Sequence, residues 1–240
     1  MNKPKPQAED EPPTRSTRRP DVVPWRNVGW WRRPPMFVAV LLAIDLVLAV
    51  AYVLTRRLRE DILSMDVVVL FDLDIEGNIP SWWSTVQLVL VGMLLINFVG
   101  IQRRVGRGAM WAVIAATGFM FLSLDEMVGL HERVAAAIGD TIKVFALATA
   151  VPLLIGVAVI SKMAWPDISR DPRVRTLIFV GFGVYILGFA VVDELGEFIE
   201  RDTLLWRIEV LVEETLEMVG VSILAWAAWL LGTVHRLRPC

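Results

Sequence analysis

The sequence predicts an all-α, polytopic integral membrane bundle of six transmembrane helices with both termini in the cytoplasm. Three observations carry that expectation. Of 240 residues, 55% are hydrophobic, and the mean hydropathy of +0.56 exceeds what a soluble core of this length requires. Apolar runs of about 20 residues, the length that crosses a hydrocarbon core of roughly 30 Å as a helix, recur along most of the chain. Finally, the positive charge is lopsided. In the six-span map 17 of the 24 Lys and Arg lie on the side of the termini, and such an excess marks the cytoplasmic face. The net charge of −2 decides nothing, because in a membrane protein placement matters more than the sum.

The elements follow in chain order. Residues 1–34 are polar, charged and rich in Pro, without the apolar segment and cleavage site of a secretory signal, and are predicted to be a disordered cytoplasmic tail. Residues 35–235 form the transmembrane domain, with spans at 36–55, 83–101, 109–128, 144–163, 176–195 and 213–232. Residues 236–240 are a cytoplasmic end. Tryptophans, which favour the water interface, mark the boundaries: Trp30 and Trp31 before the first span, Trp82 and Trp83 opening the second, Trp111 the third, Trp165 closing the fourth and Trp206 ahead of the sixth. Trp226 and Trp229 fit an interface less cleanly. Connections are short except 56–82, an outer-side loop long enough for a short surface helix or strand. The lone Cys240 excludes an intramolecular disulfide and a multi-thiolate metal site.

The acids are distributed unlike the bases. On this map 19 of the 26 Asp and Glu lie on the outer side or at the outer ends of spans, against seven positive groups. The third span runs outward and reaches Asp125 about 24 Å from its start at 1.5 Å per residue; the fifth runs outward to Asp193; the sixth runs inward from Glu209, Glu213 and Glu217. Three acidic helix ends therefore meet at one depth. At about 100° per residue, Asp125 and Glu132 share a stripe, flanked by Glu126 and His131. Asp193, Glu197 and Glu200 follow i, i+4, i+7, and Glu209, Glu213 and Glu217 follow i, i+4, i+8. Glu200, at the water end, and Glu214, off the stripe, read as bystanders.

Carboxylates packed at one level repel in a low dielectric unless separated, protonated or bridged by a cation. Hard divalent ions take oxygen ligands, and helical bundles offering several Glu with a His hold one or two of them. With one suitable histidine and no usable thiol, Ca²⁺, Mg²⁺, Mn²⁺ or iron suits this set better than zinc. The expected ligands are Asp125, His131, Glu132, Asp193, Glu197, Glu213 and Glu217, with Glu126 or Glu194 as a general base that activates water. The competing reading is a solvated acidic rim, for which Arg133, Arg201 and Arg207 supply partners, or a proton relay.

Four other features bear on function. FDLDIEGNI, residues 71–79, has Asp72, Asp74, Glu76, Gly77 and Asn78 at the spacing of the first half of an EF-hand loop, but Trp83 stands where the bidentate Glu belongs, so a polar turn entering the second span is expected. Asp45 lies mid-span among apolar residues, where an unpaired charge is costly, and reads as a protonated structural group or a step in a proton path. Gln87 and Asn97 are expected to join helices by hydrogen bonds, and His235 to be solvated beside Arg236. No nucleophile elbow, P-loop, HExxH or dinucleotide fingerprint is present, and basic residues with aromatics are too sparse for nucleic acid; Arg32 and Arg33 suit anionic lipid instead.

At LSLDEMVGLHE and FDLDIEGNIPSWWS the chain resembles a widespread group of multi-pass bacterial membrane proteins without an assigned function, and the resemblance covers the second and third spans with the loop before them. It implies an inner-membrane protein of that type and no particular activity. Three functions remain open: an outer-face divalent-metal site, as a metal-dependent enzyme on a lipid or membrane-borne substrate; a cation transporter or channel; and a non-catalytic subunit of a membrane complex or homo-oligomer.

Overall fold

The computed structural model describes residues 33–58, 64–130, 133–134, 137, 156–196, 198–201 and 203–237. Among these there are helices and no strand. They are α1 (Met36–Leu58), α2 (Met65–Leu70), α3 (Ile79–Arg104), α4 (Met110–Val128), α5 (156–168), α6 (Pro172–Ile186) and α8 (Leu204–Leu237). From α6 the chain continues through a π-helical turn, Leu187–Val192, into the short α7 (Asp193–Gly196).

Five stretches among the described residues are long and apolar enough to cross a membrane: α1, α3, α4, the run Pro172–Val192 and α8. They coincide with the first, second, third, fifth and sixth predicted spans. Of the fourth, 144–155 lies outside the described residues and 156–163 is helical within α5. Most of the predicted tail, residues 1–32, and residues 238–240 of the predicted C-terminal end also lie outside them.

Local chemistry sets the helix ends. Asn78 caps α3 by accepting from the Ser81 amide at 3.3 Å, with Pro80 in the first turn, where a missing N–H costs nothing. Asp171 caps α6 through the Arg173 amide at 2.8 Å, followed by Pro172. Gly129 stops α4 in the left-handed region, φ 59°, and its amide donates to the Asp125 carbonyl.

The last helix is the axis of the bundle. It packs against α1, α3 and α6, while α4 packs on α3. In α8, 72% of the membrane-length window is buried within the protein, against 17% for Pro172–Val192. At 34 residues α8 is about 51 Å long, well over the thickness of a hydrocarbon core. Its buried seam steps alternately by four and three residues through Val210, Val221, Leu224, Ala228, Leu231 and His235, each under 9% exposed, and Glu214 and Glu217 occupy the two steps between Val210 and Val221. Two carboxylates thus stand where a helix of this kind carries apolar side chains.

Candidate functional site: an acidic cluster above a buried carboxylate network

The close approach of α6 to α8 fixes one wall of the acidic region. Gly188, in the π-helical turn, faces the Glu213 carbonyl and the Glu217 side chain: a Cβ added there would stand 2.8 Å from the Glu213 oxygen and 3.1 Å from Glu217 Cγ. Gly220 on α8 meets the Tyr185 backbone in the same way. The π turn, a departure from regular helix frequent at functional sites, therefore lies against the acidic stretch of α8.

A second wall comes from α4 and the loop before α3. Asp125 and Glu126, on the last turn of α4, are half-buried. Glu214 lies within electrostatic range of Glu217, Glu126, Glu213 and Asp74, and Tyr185 within range of Glu217, Glu126, Glu214 and Asp125. Acids from α4, α8 and the 71–78 loop thus share one neighbourhood with a tyrosine of α6. The Glu76 carboxylate rests on Gly129, where a side chain would overlap it, so the loop closes over the end of α4.

Of the sequence-predicted site residues, Asp125, Glu126, Glu213 and Glu217 are brought together in this way. Asp193 and Glu194 lie on α7, whose Gly196 abuts the Glu209 carboxylate. His131, Glu132 and Glu197 lie outside the described residues. Among the described residues, no group of three or more His, Cys, Asp or Glu is arranged to hold a metal ion. Glu214, expected to be a bystander, lies within electrostatic range of these acids, and the buried seam through Val210 and Val221, in whose line it stands, is the signal that would have singled it out.

The FDLDIEGNI segment is the polar turn its failed EF-hand pattern suggested. Asp72, 4% exposed, pairs with Arg56 of α1 at 2.5 Å and accepts from the Asp74 amide at 3.4 Å. Asn78 Nδ2 donates to the Val69 carbonyl at 3.0 Å and to that of Asp72. Arg56 also lies over the Tyr52 and Trp206 rings at 5.5 and 5.8 Å, so the cation that neutralises Asp72 is boxed in aromatics.

Deeper in the bundle, Asp45 has polar company that its apolar sequence neighbours hide. Trp83 Nε1 and Gln87 Nε2 of α3 each donate to Asp45 Oδ1 at 2.7 Å, and Ser222 Oγ of α8 donates to Oδ2 at 2.9 Å. Gln87 Nε2 also reaches Ser222 Oγ at 2.9 Å. Asp45, Gln87 and Ser222 are essentially sealed, at 1%, 0% and 0% exposure. Trp83, near the start of α3 where a span-opening tryptophan was expected, thus gives its indole N–H to a buried carboxylate, while Gln87 joins helices as expected.

At the far end His235 is buried, 7% exposed, rather than solvated. Gln102 Nε2 donates to its Nδ1 at 3.0 Å, and Phe98 meets its ring edge-on at 5.1 Å. Trp111 Nε1 donates to Asp167 Oδ2 at 3.0 Å, bringing α4 and α5 into the same contact. The heptad-like seam of α8 carries His235 inward and leaves Arg236 at the surface.

No curated protein and no solved structure matches the chain. A family model described as a domain of unknown function (DUF8692) matches residues 36–233, from the first described helix almost to the end of the last. The chain belongs to that family.

Proposed function

We propose that this protein is an inner-membrane protein of six spans with cytoplasmic termini, and that its working site is a divalent-cation site at the end of the bundle where α4 stops and α8 begins. The observation that supports it is the company of Glu214: Glu126 from α4 and Asp74 from the loop lie within electrostatic range of it, beside Glu213 and Glu217 of its own helix. Carboxylates drawn together inside a bundle are relieved by a proton or by a cation. The described carboxylates do not by themselves make a metal-ligating group, so the reading requires His131, Glu132 and Glu197, with Asp193, to complete the oxygen-rich shell that Ca²⁺, Mg²⁺, Mn²⁺ or iron takes. Its catalytic form is a reaction on a lipid or membrane-borne substrate, with Glu126 or Glu194 removing a proton from water.

A cation pathway is less well supported. An inward route from the cluster meets Asp45, both of whose oxygens are already engaged by Trp83, Gln87 and Ser222. The deciding measurement is elemental analysis of full-length protein purified without chelator, beside a Glu214→Gln, Glu217→Gln variant. Stoichiometric metal in the first and its loss in the second is the expected result. Equal metal content, or none in either, would falsify the cation reading and leave a proton-holding or assembly role.

A further inference from the structure

The opposite end of α8 carries a second feature, distinct from the acidic cluster. A cavity of about 430 Å³ opens between the C-terminal ends of α3 and α8, lined by Asn97, Gly100, Ile101, Arg104, His235 and Arg236 among others. Its volume falls within the range of ligand pockets, roughly 300–1,000 Å³. A smaller slot of about 60 Å³ adjoins it, sharing Asn97 and Arg236 and adding Leu94, Ala228, Trp229 and Gly232. The compartment is thus cationic at one end and mixed at the other, where Leu94, Ala228 and Trp229 stand beside Asn97 and Thr233.

We infer that this crevice binds an anionic phospholipid by its headgroup, with Arg104 and Arg236 taking the phosphate. Arg236 is pre-positioned, its Nη2 donating to Asn97 Oδ1 at 3.2 Å, which leaves its other guanidinium nitrogens as donors of the geometry a phosphate accepts. Gly100 leaves the wall of α3 bare beside it, with no atom within 4 Å of where its Cβ would stand. His235 completes the wall between the two helices. Its side chain is 4% exposed, its Nδ1 is occupied by Gln102, and its Nε2 is turned toward Asp167, whose carboxylate oxygen lies 3.9 Å away. Basic pockets between transmembrane helices are a recognised place for anionic headgroups.

Arginines at helix ends also offset the helix dipole, and the two roles separate experimentally. Full-length protein would be stripped of lipid in detergent, and the retention of added lipid followed by native mass spectrometry and melting temperature. Phosphatidylglycerol, phosphatidylcholine and inorganic phosphate are the probes. Wild type is expected to retain phosphatidylglycerol and to melt higher with it than with phosphatidylcholine. Arg104→Gln with Arg236→Gln should weaken retention at least tenfold without lowering the lipid-free melting temperature. Arg103→Gln, on the same turn of α3 but outside the cavity lining, should bind like wild type. Should the double variant fold poorly, Arg104→Gln alone, at an exposed position, should weaken retention at least threefold. Unchanged binding in the folded variants, equal affinity for phosphatidylcholine, or equal protection by inorganic phosphate each overturns the assignment, the last by giving the crevice to a free anion.

Discussion

Around Asp45 three donors from two helices converge on a single carboxylate, whereas Glu214 stands within electrostatic range of four other acids, Glu126, Glu213, Glu217 and Asp74. Both residues face the inside of the bundle, and on α8 the two environments are separated by only the five residues from Glu217 to Ser222, about 7.5 Å of helix. The difference teaches what each is for. A carboxylate whose oxygens are filled by Trp83, Gln87 and Ser222 holds α1, α3 and α8 together and has little capacity left for a ligand. One set within range of other acids calls for a proton or a cation to offset the charge, which is the role proposed for this end of the bundle.

The sharpest way to break that contrast is to remove Asp45. Asp45→Ala leaves the Trp83, Gln87 and Ser222 donors facing one another in a sealed site; at about 1 kcal/mol for each interhelical bond, a loss of roughly 3 kcal/mol is expected in reversible unfolding from mixed micelles. A loss under about 0.5 kcal/mol would mean that the network holds nothing. Next is Gly188→Ala, which forces α6 off the Glu213 carbonyl and should cost about 2 kcal/mol by the same assay, with reduced metal content if the π turn shapes the cation site. Ser222→Ala removes one donor to Asp45 and one acceptor from Gln87, an expected cost of about 1 kcal/mol with metal content unchanged. The smallest effect has the opposite sign. In the presence of chelator, Glu214→Gln relieves like-charge crowding and should stabilise the fold by about 0.5 kcal/mol, so a destabilisation comparable to that of Asp45→Ala would erase the distinction between the two acids.

Much of this architecture was legible in the residues. Long apolar runs and the failed EF-hand pattern gave five of the predicted spans and the polar turn, because hydrophobic length and turn chemistry are local properties. The acids of α4 and α8 were legible as one layer, since helix direction and rise place them there. Partnerships across the bundle were not. Nothing within a few residues of Asp45 reveals that Trp83, 38 positions on, and Ser222, 177 positions on, will supply its donors. Glu214 was not singled out because three evenly spaced glutamates mark one face of α8, while its apolar seam runs through another. His235 was misread for a related reason: beside Arg236 it looks like the end of a helix, yet the same seam turns it toward Gln102 and Phe98.

Because α8 carries contacts to the Arg56 box, the acids, the Asp45 network and the lipid crevice on one unbroken rod, its length is the dimension the fold cannot alter. Deleting a single residue between Glu217 and Ser222 would swing one half of the rod through about 100° against the other and misalign one set of partners whichever half stayed put. Its tolerance to insertion and deletion should therefore be far narrower than that of the links between helices, making α8 the ruler against which the other spans are set.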